Sequence, residues 1–123
     1  MIMSTTPADD SLENISRILL QGEVLESQLL AYPEWQIVHL DGTEANATGG
    51  SGMSAIKRTW SFDNFAAAFA FIQQVTDLAE NYNHHPRCIL EWGSASVMWW
   101  SHDMGGVTTS DLQMAALCDH LRI

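Results

Sequence analysis

Basic residues are scarce in this chain. Five Lys and Arg face fifteen Asp and Glu, a formal charge of −10 at pH 7 over 123 residues. Binding to nucleic acid needs a basic footprint, so this balance excludes a nonspecific nucleic-acid binder. It also disfavours docking on anionic membranes. The simplest use of such a charge is solubility. Cysteine is rare as well: Cys88 and Cys118 are too few for a disulfide framework. Cys118 falls in a helical pattern and Cys88 in a strand pattern, and both are expected to be buried small apolar residues rather than a metal or redox pair. No apolar run is long enough to cross a bilayer. No Lys- or Arg-flanked apolar run resembles a signal peptide, so a cytoplasmic location is expected.

Apolar residues are not scarce. They make up 46% of the chain, and five Trp and four Phe add bulk for a core or an aromatic pocket. The length suits one domain. Residues 1–21 are expected to be an N-terminal tail, within which Ile15–Leu20 is a short apolar patch that could dock, and residues 22–123 the domain proper. Gly22 opens a helical pattern that Pro33 ends. Trp35–Leu40 alternates as a strand does, and so does Ile56–Phe62. Between them Asp41–Ser54, rich in Gly, Ser, Thr and Asn, is expected to be a flexible hairpin loop. The clearest helix runs from Asp63 to Asn83. Phe65, Phe69, Ile72 and Ala79 form one stripe on it, and Phe71, Val75, Leu78 and Tyr82 an adjacent one. Cys88–Trp92 and Val97–Ser101 read as strands joined by a four-residue turn, Gly93–Ser96. Thr108-x-x-Asp111 has capping-box spacing ahead of a last helix over Thr109–Leu121. The order α-β-β-α-β-β-α predicts an α+β fold, a four-stranded antiparallel sheet with helices packed on one face. Apolar residues on both sides of the last helix, and the adjacent Trp99 and Trp100, suggest a subunit contact.

Three histidines could carry chemistry: His84 and His85 where a helix stops before Pro86, and His102 just past a strand. Histidine exchanges protons near neutrality, and ends of rigid elements can aim side chains into a cleft. Adjacent histidines are equally what a surface loop carries. Zinc is a second alternative, since three His with Asp111 could form a site, but neither HExxH nor Cys-pair spacing is present. Nucleophilic catalysis has less support: Cys88 lies in an apolar strand and no serine sits in a GxSxG elbow.

The spacing of these residues resembles the signature of the pterin-4a-carbinolamine dehydratase family. Glu80 is followed after three positions by His84-His85-Pro86, then by Trp92 six residues on, His102 ten further and Asp111 nine beyond that. The flanks are similar too: Trp60-Ser61-Phe62-Asp63-Asn64-Phe65 at a strand-to-helix passage, Gly105-Gly106-Val107-Thr108 ahead of the last helix, and Trp35 after Pro33. The resemblance runs from about Gly22 to the C-terminus. The chain departs from it in a longer Asp41–Ser54 loop, in Cys88 where an aromatic is common, in Gly93 where a polar residue is common, and in Glu34 where glycine is common. The changes at Cys88 and Gly93 are expected near the pocket.

What the resemblance implies is dehydration of 4a-hydroxytetrahydropterin to quinonoid dihydropterin, a step of pterin cofactor recycling, with neither cofactor nor metal. His84 and His102 are then the acid/base pair, their two roles unassigned, and His85 mainly orients the pterin. Glu80, Pro86, Trp35, Trp92 and Asp111 are expected around the substrate. Glu80, one helical turn before His84, could fix that ring's tautomer or be an ordinary exposed charge. Trp35 and Trp92 could be core, and Asp111 a helix cap. The implied partners are the pterin, a functional link to an aromatic amino acid hydroxylase, and further copies of the chain in a homodimer or homotetramer. Two rivals share the fold: a non-catalytic dimerisation or assembly factor, and an enzyme acting on another pterin.

Overall fold

A computed structural model describes residues 17–40 and 53–121. Most of the expected tail and residues 41–52 of the expected loop lie outside them. The elements are α1 (Gly22–Leu29), β1 (Gln36–Leu40), β2 (Met53–Ser61), α2 (Phe65–Tyr82), β3 (Arg87–Glu91), β4 (Ser94–Trp99), a one-turn 3-10 segment (His102–Met104) and α3 (Thr109–Asp119). The strands form one sheet in the order β1-β2-β4-β3, with every neighbouring pair antiparallel. The α+β fold expected from the sequence is therefore the fold found.

Alternation along the central strands assigns the two faces. Ile56 and Trp60 of β2, with Ala95, Val97 and Trp99 of β4, join Leu25 and Leu29 of α1, Ala68, Phe71, Val75 and Ala79 of α2, and Leu112, Met114, Ala115 and Cys118 of α3 in the main core. Aromatic rings fill its centre: Trp60 lies 4.5 Å from Phe71 and 5.8 Å, edge-on, from Trp35 between ring centroids. Leu40, Met53, Ala55, Met98 and Trp100 form a second buried cluster, built from the alternate positions of β2 and β4 and so on the opposite face.

Several boundaries differ from expectation, each for a local reason. Residues 17–20, part of the patch that could dock, pair with the residues ahead of α3: the Leu20 N–H donates to the Val107 carbonyl at 2.8 Å, the Thr109 N–H donates to the Ile18 carbonyl at 3.1 Å, and Leu20 is buried. Met53 and Ser54 are strand rather than loop, paired with Leu40 and His39. The β3–β4 turn has two residues, not four: Glu91 pairs with Ser94, and Gly93 takes the positive φ of 83° that such a turn demands. Helix α2 starts at Phe65 because Asn64 caps it, its side-chain oxygen accepting the Ala67 N–H at 2.8 Å.

Burial also departs from the expected pattern. The outer stripe of α2 is open at its N-terminal half, with Phe65 49% and Phe69 47% exposed, while Ile72 packs on the core and Ala79 is within it. Helix α3 buries Leu112 on one side and Met114 and Cys118 on the other within the chain, so its two apolar sides need no partner subunit. Trp99 and Trp100 do leave β4 on opposite faces, but both are buried. Cys88 is exposed on the edge strand β3, where only one neighbour covers it, and not the buried residue expected. Among the described residues no helix is long and apolar enough to cross a membrane.

Candidate functional site

The site is built where α2 ends. Asn83 takes a left-handed conformation (φ 51°, ψ 44°). The Asn83 N–H then donates to the Glu80 carbonyl at 3.4 Å and the His84 N–H reaches back to the Ala79 carbonyl at 3.1 Å. This is a Schellman closure, tolerated by asparagine better than by most side chains. His84 is thus the residue whose amide seals the helix, and its ring is turned back onto the sheet. The imidazole stacks on Trp99, with centroids 5.5 Å apart and planes 9° from parallel. Its Nε2 lies 2.6 Å from Asp111 Oδ1, and the His84 side chain is only 13% exposed.

Asp111 is the third helical residue of α3 and is fully buried. Its Oδ2 accepts the Thr108 N–H at 2.8 Å, the Ser101 hydroxyl at 2.8 Å and the Thr108 hydroxyl at 3.2 Å. Thr108 Oγ1 in turn lies 2.7 Å from Ser110 Oγ and 3.1 Å from Ser101 Oγ. The capping box is therefore present, as the spacing suggested, and serves as one wall of a buried hydroxyl network. Asp111, expected near the pterin, holds His84 from a fully buried position.

Glu80 meets a different histidine from the one expected. Its Oε2 lies 2.6 Å from His85 Nε2, and both side chains are largely exposed. The left-handed turn at Asn83 carries His84 inward and leaves His85 on the Glu80 side. Pro86 is half-buried between His85 and β3. His102 is exposed and packs against Trp100, with centroids 4.9 Å apart. Arg87 also lies over the Trp100 ring, at 5.4 Å. The turn carrying His102 is pinned at both ends: Ser101 and Gly106 exchange backbone hydrogen bonds of 2.8 and 3.2 Å, and Arg17 binds both oxygens of Asp103 at 2.8 and 2.9 Å. That guanidinium holds the Asp103 carboxyl below the usual carboxylate range.

The two tryptophans expected around the pterin sit apart from the three histidines within the chain. Trp35 is 3% exposed, packed on Trp60, and donates its indole N–H to Asp119 at 2.9 Å. Arg58 also binds Asp119, at 2.6 Å, so this end of α3 is a structural anchor. Asp119 is eight residues from Asp111, and at 1.5 Å rise per residue that is about 12 Å along the helix. Trp92 is 74% exposed at the β3–β4 turn, about 17 Å along the strand from Arg87 at 3.3 Å per residue. Gly93 shares that turn, so it too is away from the histidines. A groove of about 410 Å³ lies beside Trp35, between Glu26, Leu29, Leu30, Pro33, Gln36 and Ile37. None of the three histidines lines it.

His84, His85, Pro86, Glu80 and Asp111 are thus brought together at the end of α2, and His102 follows Ser101 of the same network. Sequence reasoning paired Thr108 with Asp111 through the capping box but missed Ser101, which binds Asp111, and Ser110, which binds Thr108. Three hydroxyls flanking one acid around an apolar strand end was the available signal. Among the described residues, no three His, Cys, Asp or Glu side chains gather as a metal site would require.

Comparison with known proteins places this arrangement in a class. The model of the pterin 4 alpha carbinolamine dehydratase family matches residues 19–121. The chain belongs to that family. It is 44% identical over 89 residues to a relative from Marinobacter nauticus, covering 72% of this chain and 71% of the relative. It is 35% identical over 102 residues to one from Chlorobaculum tepidum, covering 83% of each. Both relatives are named as candidate pterin-4-alpha-carbinolamine dehydratases. A crystal structure of a transcriptional coactivator/pterin dehydratase from Brucella melitensis superposes with a TM-score of 0.64 at 29% identity, over 83% of this chain and 96% of that one. The start of the match at residue 19 agrees with the pairing of residues 17–20 to the domain.

Proposed function

We propose that this protein dehydrates a 4a-hydroxytetrahydropterin to the quinonoid dihydropterin, in the recycling of a pterin cofactor. The observation that carries the reading is the His84–Asp111 pair, a half-buried imidazole braced by a buried acid at the end of a capped helix. A scaffold has no need of such a pair. In the reaction the N5–H bond breaks, N5 and C4a form a double bond, and the C4a–O bond breaks as the oxygen takes a proton and departs as water. One group accepts the N5 proton and one delivers a proton to oxygen. Such acid/base steps contribute about 10²–10⁴ in rate each. With Nε2–H given to Asp111, His84 keeps Nδ1 for proton exchange. His102 is the second proton carrier, and His85, oriented by Glu80, positions the pterin.

The rival reading is a binding or assembly factor on the same fold. It draws on the coactivator name of the Brucella melitensis protein and on the open apolar stripe of Phe65 and Phe69. That stripe also supports a homo-oligomer, which light scattering would show as a mass at least twice that of the chain. The test of function is the rate of dehydration of synthetic 4a-hydroxytetrahydropterin. His84→Ala and His102→Ala should each lower kcat about 10²-fold or more, and His85→Ala should chiefly raise KM. A rate no faster than the uncatalysed reaction would favour the binding reading.

A further inference from the structure

We infer that Ser101 is a positioning residue for His84: its hydroxyl locks the Asp111 carboxylate in the orientation that commits His84 Nε2–H and leaves Nδ1 to work. The inference rests on the proposed role of His84. Two of the three donors to Asp111 Oδ2 come from Thr108, the cap of Asp111's own helix. They travel with α3 and cannot register it against the sheet. Among the described residues, Ser101 is the donor to Asp111 Oδ2 that comes from outside that helix end, at 2.8 Å, while His84 takes the other oxygen, Oδ1.

Ser101 is suited to the task. It lies just past β4, two residues after the Trp99 that ends the strand and on which His84 stacks, and one before His102. Its N–H and carbonyl are both tied to Gly106, and the carbonyl also takes the Gly105 N–H at 3.0 Å. Gly105 can close this turn because it adopts φ 88°. The hydroxyl therefore projects from a fixed backbone, and the side chain is only 2% exposed. Its single proton goes to the carboxylate. Thr108 Oγ1 keeps its own proton for Asp111 while accepting from Ser110 at 2.7 Å. With Oδ2 occupied by three donors, Oδ1 has one orientation available, and the His84 ring is held between that oxygen and the Trp99 face. Loss of the Ser101 proton removes the brace across the sheet and lets the carboxylate rotate about its last torsion, which is broad for aspartate.

The experiment compares Ser101→Ala and Ser101→Thr with the parent full-length chain. Nitrogen-15 NMR reads the His84 ring nitrogens, and the dehydration of 4a-hydroxytetrahydropterin is followed in parallel. Ser101→Ala should move the His84 ring from one tautomer to a mixture and lower kcat about tenfold, with KM within about twofold. Tenfold is the loss of about 1.4 kcal/mol of transition-state stabilisation. Ser101→Thr, which keeps the hydroxyl, should restore both signals. If the alanine variant does not fold, Ser101→Cys replaces it and is read the same way. Unchanged ring nitrogens in the alanine variant overturn the inference, whether kcat falls or not, because a merely structural loss would leave the tautomer alone. If the parent chain proves inactive, the proposed function falls, and the ring nitrogens alone decide the role of Ser101.

Discussion

Asp111→Asn changes one atom and separates two roles that an acidic residue near a pterin site could have. Asp111 Oδ1 accepts from His84 at 2.6 Å, and Oδ2 accepts from the Thr108 amide, the Ser101 hydroxyl and the Thr108 hydroxyl. An asparagine keeps one acceptor. The Thr108 N–H cannot rotate away, so the amide oxygen must take the Oδ2 place and the NH₂ must face His84. Two donors then oppose each other unless His84 gives up its Nε2 proton and carries it on Nδ1, the nitrogen needed for exchange. Turnover should drop about 10²–10⁴-fold, the usual worth of one acid/base group. Stability should drop much less. Hydrogen bonds to a charged acceptor are worth about 1 kcal/mol more than neutral ones, and the charge at the start of α3 adds about 0.3–1 kcal/mol. Relief from burying a charge offsets part of this, leaving about 1–2 kcal/mol. Asp111→Ala strands the Thr108 amide and the His84 N–H without acceptors, at about 1–3 kcal/mol each, and should cost about 3–5 kcal/mol. Urea unfolding and steady-state kinetics on the three proteins measure both quantities. A raised KM at unchanged kcat in the asparagine variant would put Asp111 in contact with substrate and refute the reasoning.

Three further outcomes are expected. Asn83→Gly should leave stability within about 0.5 kcal/mol, because glycine accepts the left-handed geometry, whereas Asn83→Val should cost at least about 1 kcal/mol and loosen His84; equal thermal melts for the two would count against the Schellman closure. Leu20→Ala should cost about 2–4 kcal/mol, as for a buried leucine, and a chain beginning at residue 22 should be no more stable than that variant; a truncated chain as stable as the parent would return residues 17–20 to a tail. The thiols should differ in reactivity. Burial pushes Cys118 up to about 12 from 9.0, and packing around the sulfur of the otherwise exposed Cys88 pushes it up to about 11. Cys88 should then react with a disulfide reagent at pH 8 more slowly than a free thiol, and Cys118 only on unfolding. Because the folded state holds the Cys118 proton past the pH at which the unfolded chain releases it, this group's contribution is complete below about pH 9 and declines as pH rises toward 12; a stability that rose over that interval would contradict it.

The fold was legible because its signals are local. Alternation in Ile56–Trp60 and Val97–Trp99, and the long apolar arc of α2, each specify an element and its buried face without reference to the rest of the chain. The errors came where a neighbour decides. Val38, Ala55 and Met98 lie on the second face and are covered, which a period-two pattern cannot reveal. Phe65 and Phe69 satisfy the helical stripe as well as Phe71 and Val75 do, yet α2 contacts the sheet with only one side. Leu20 carries no periodic signal at all; its pairing to Val107 is set by the chain path. For the site, spacing named the residues but not their partners. Glu80 sits four residues before His84, the spacing that pairs side chains along a helix, but the helix has ended by then and the pairing passes to His85.

That shift has a consequence for the division of labour among the histidines. His84 is enclosed, stacked on Trp99 and bound to a buried acid, whereas His85 and Glu80 are hydrogen-bonded on the exposed surface. Exposed pairs contribute about 0–1 kcal/mol and reorganise readily, so Glu80 can tune the direction of the His85 ring but cannot fix it. A proton carrier gains from a fixed ring, since misplacement by about 1 Å can cost about 10² in rate. A residue that meets the substrate on entry gains from a ring that adapts. The enclosed histidine therefore suits the chemical step, and the exposed one suits capture of the pterin. His102, leaning on Trp100 from a turn clamped by Gly106 and by Arg17 on Asp103, has a restrained backbone with an exposed ring. Trp99 and Trp100 point to opposite faces of the sheet, so His84 and His102 flank the end of β4 rather than share one of its faces. A flat bicyclic substrate that receives a proton at one position and loses one at another can be served from both flanks of that strand end.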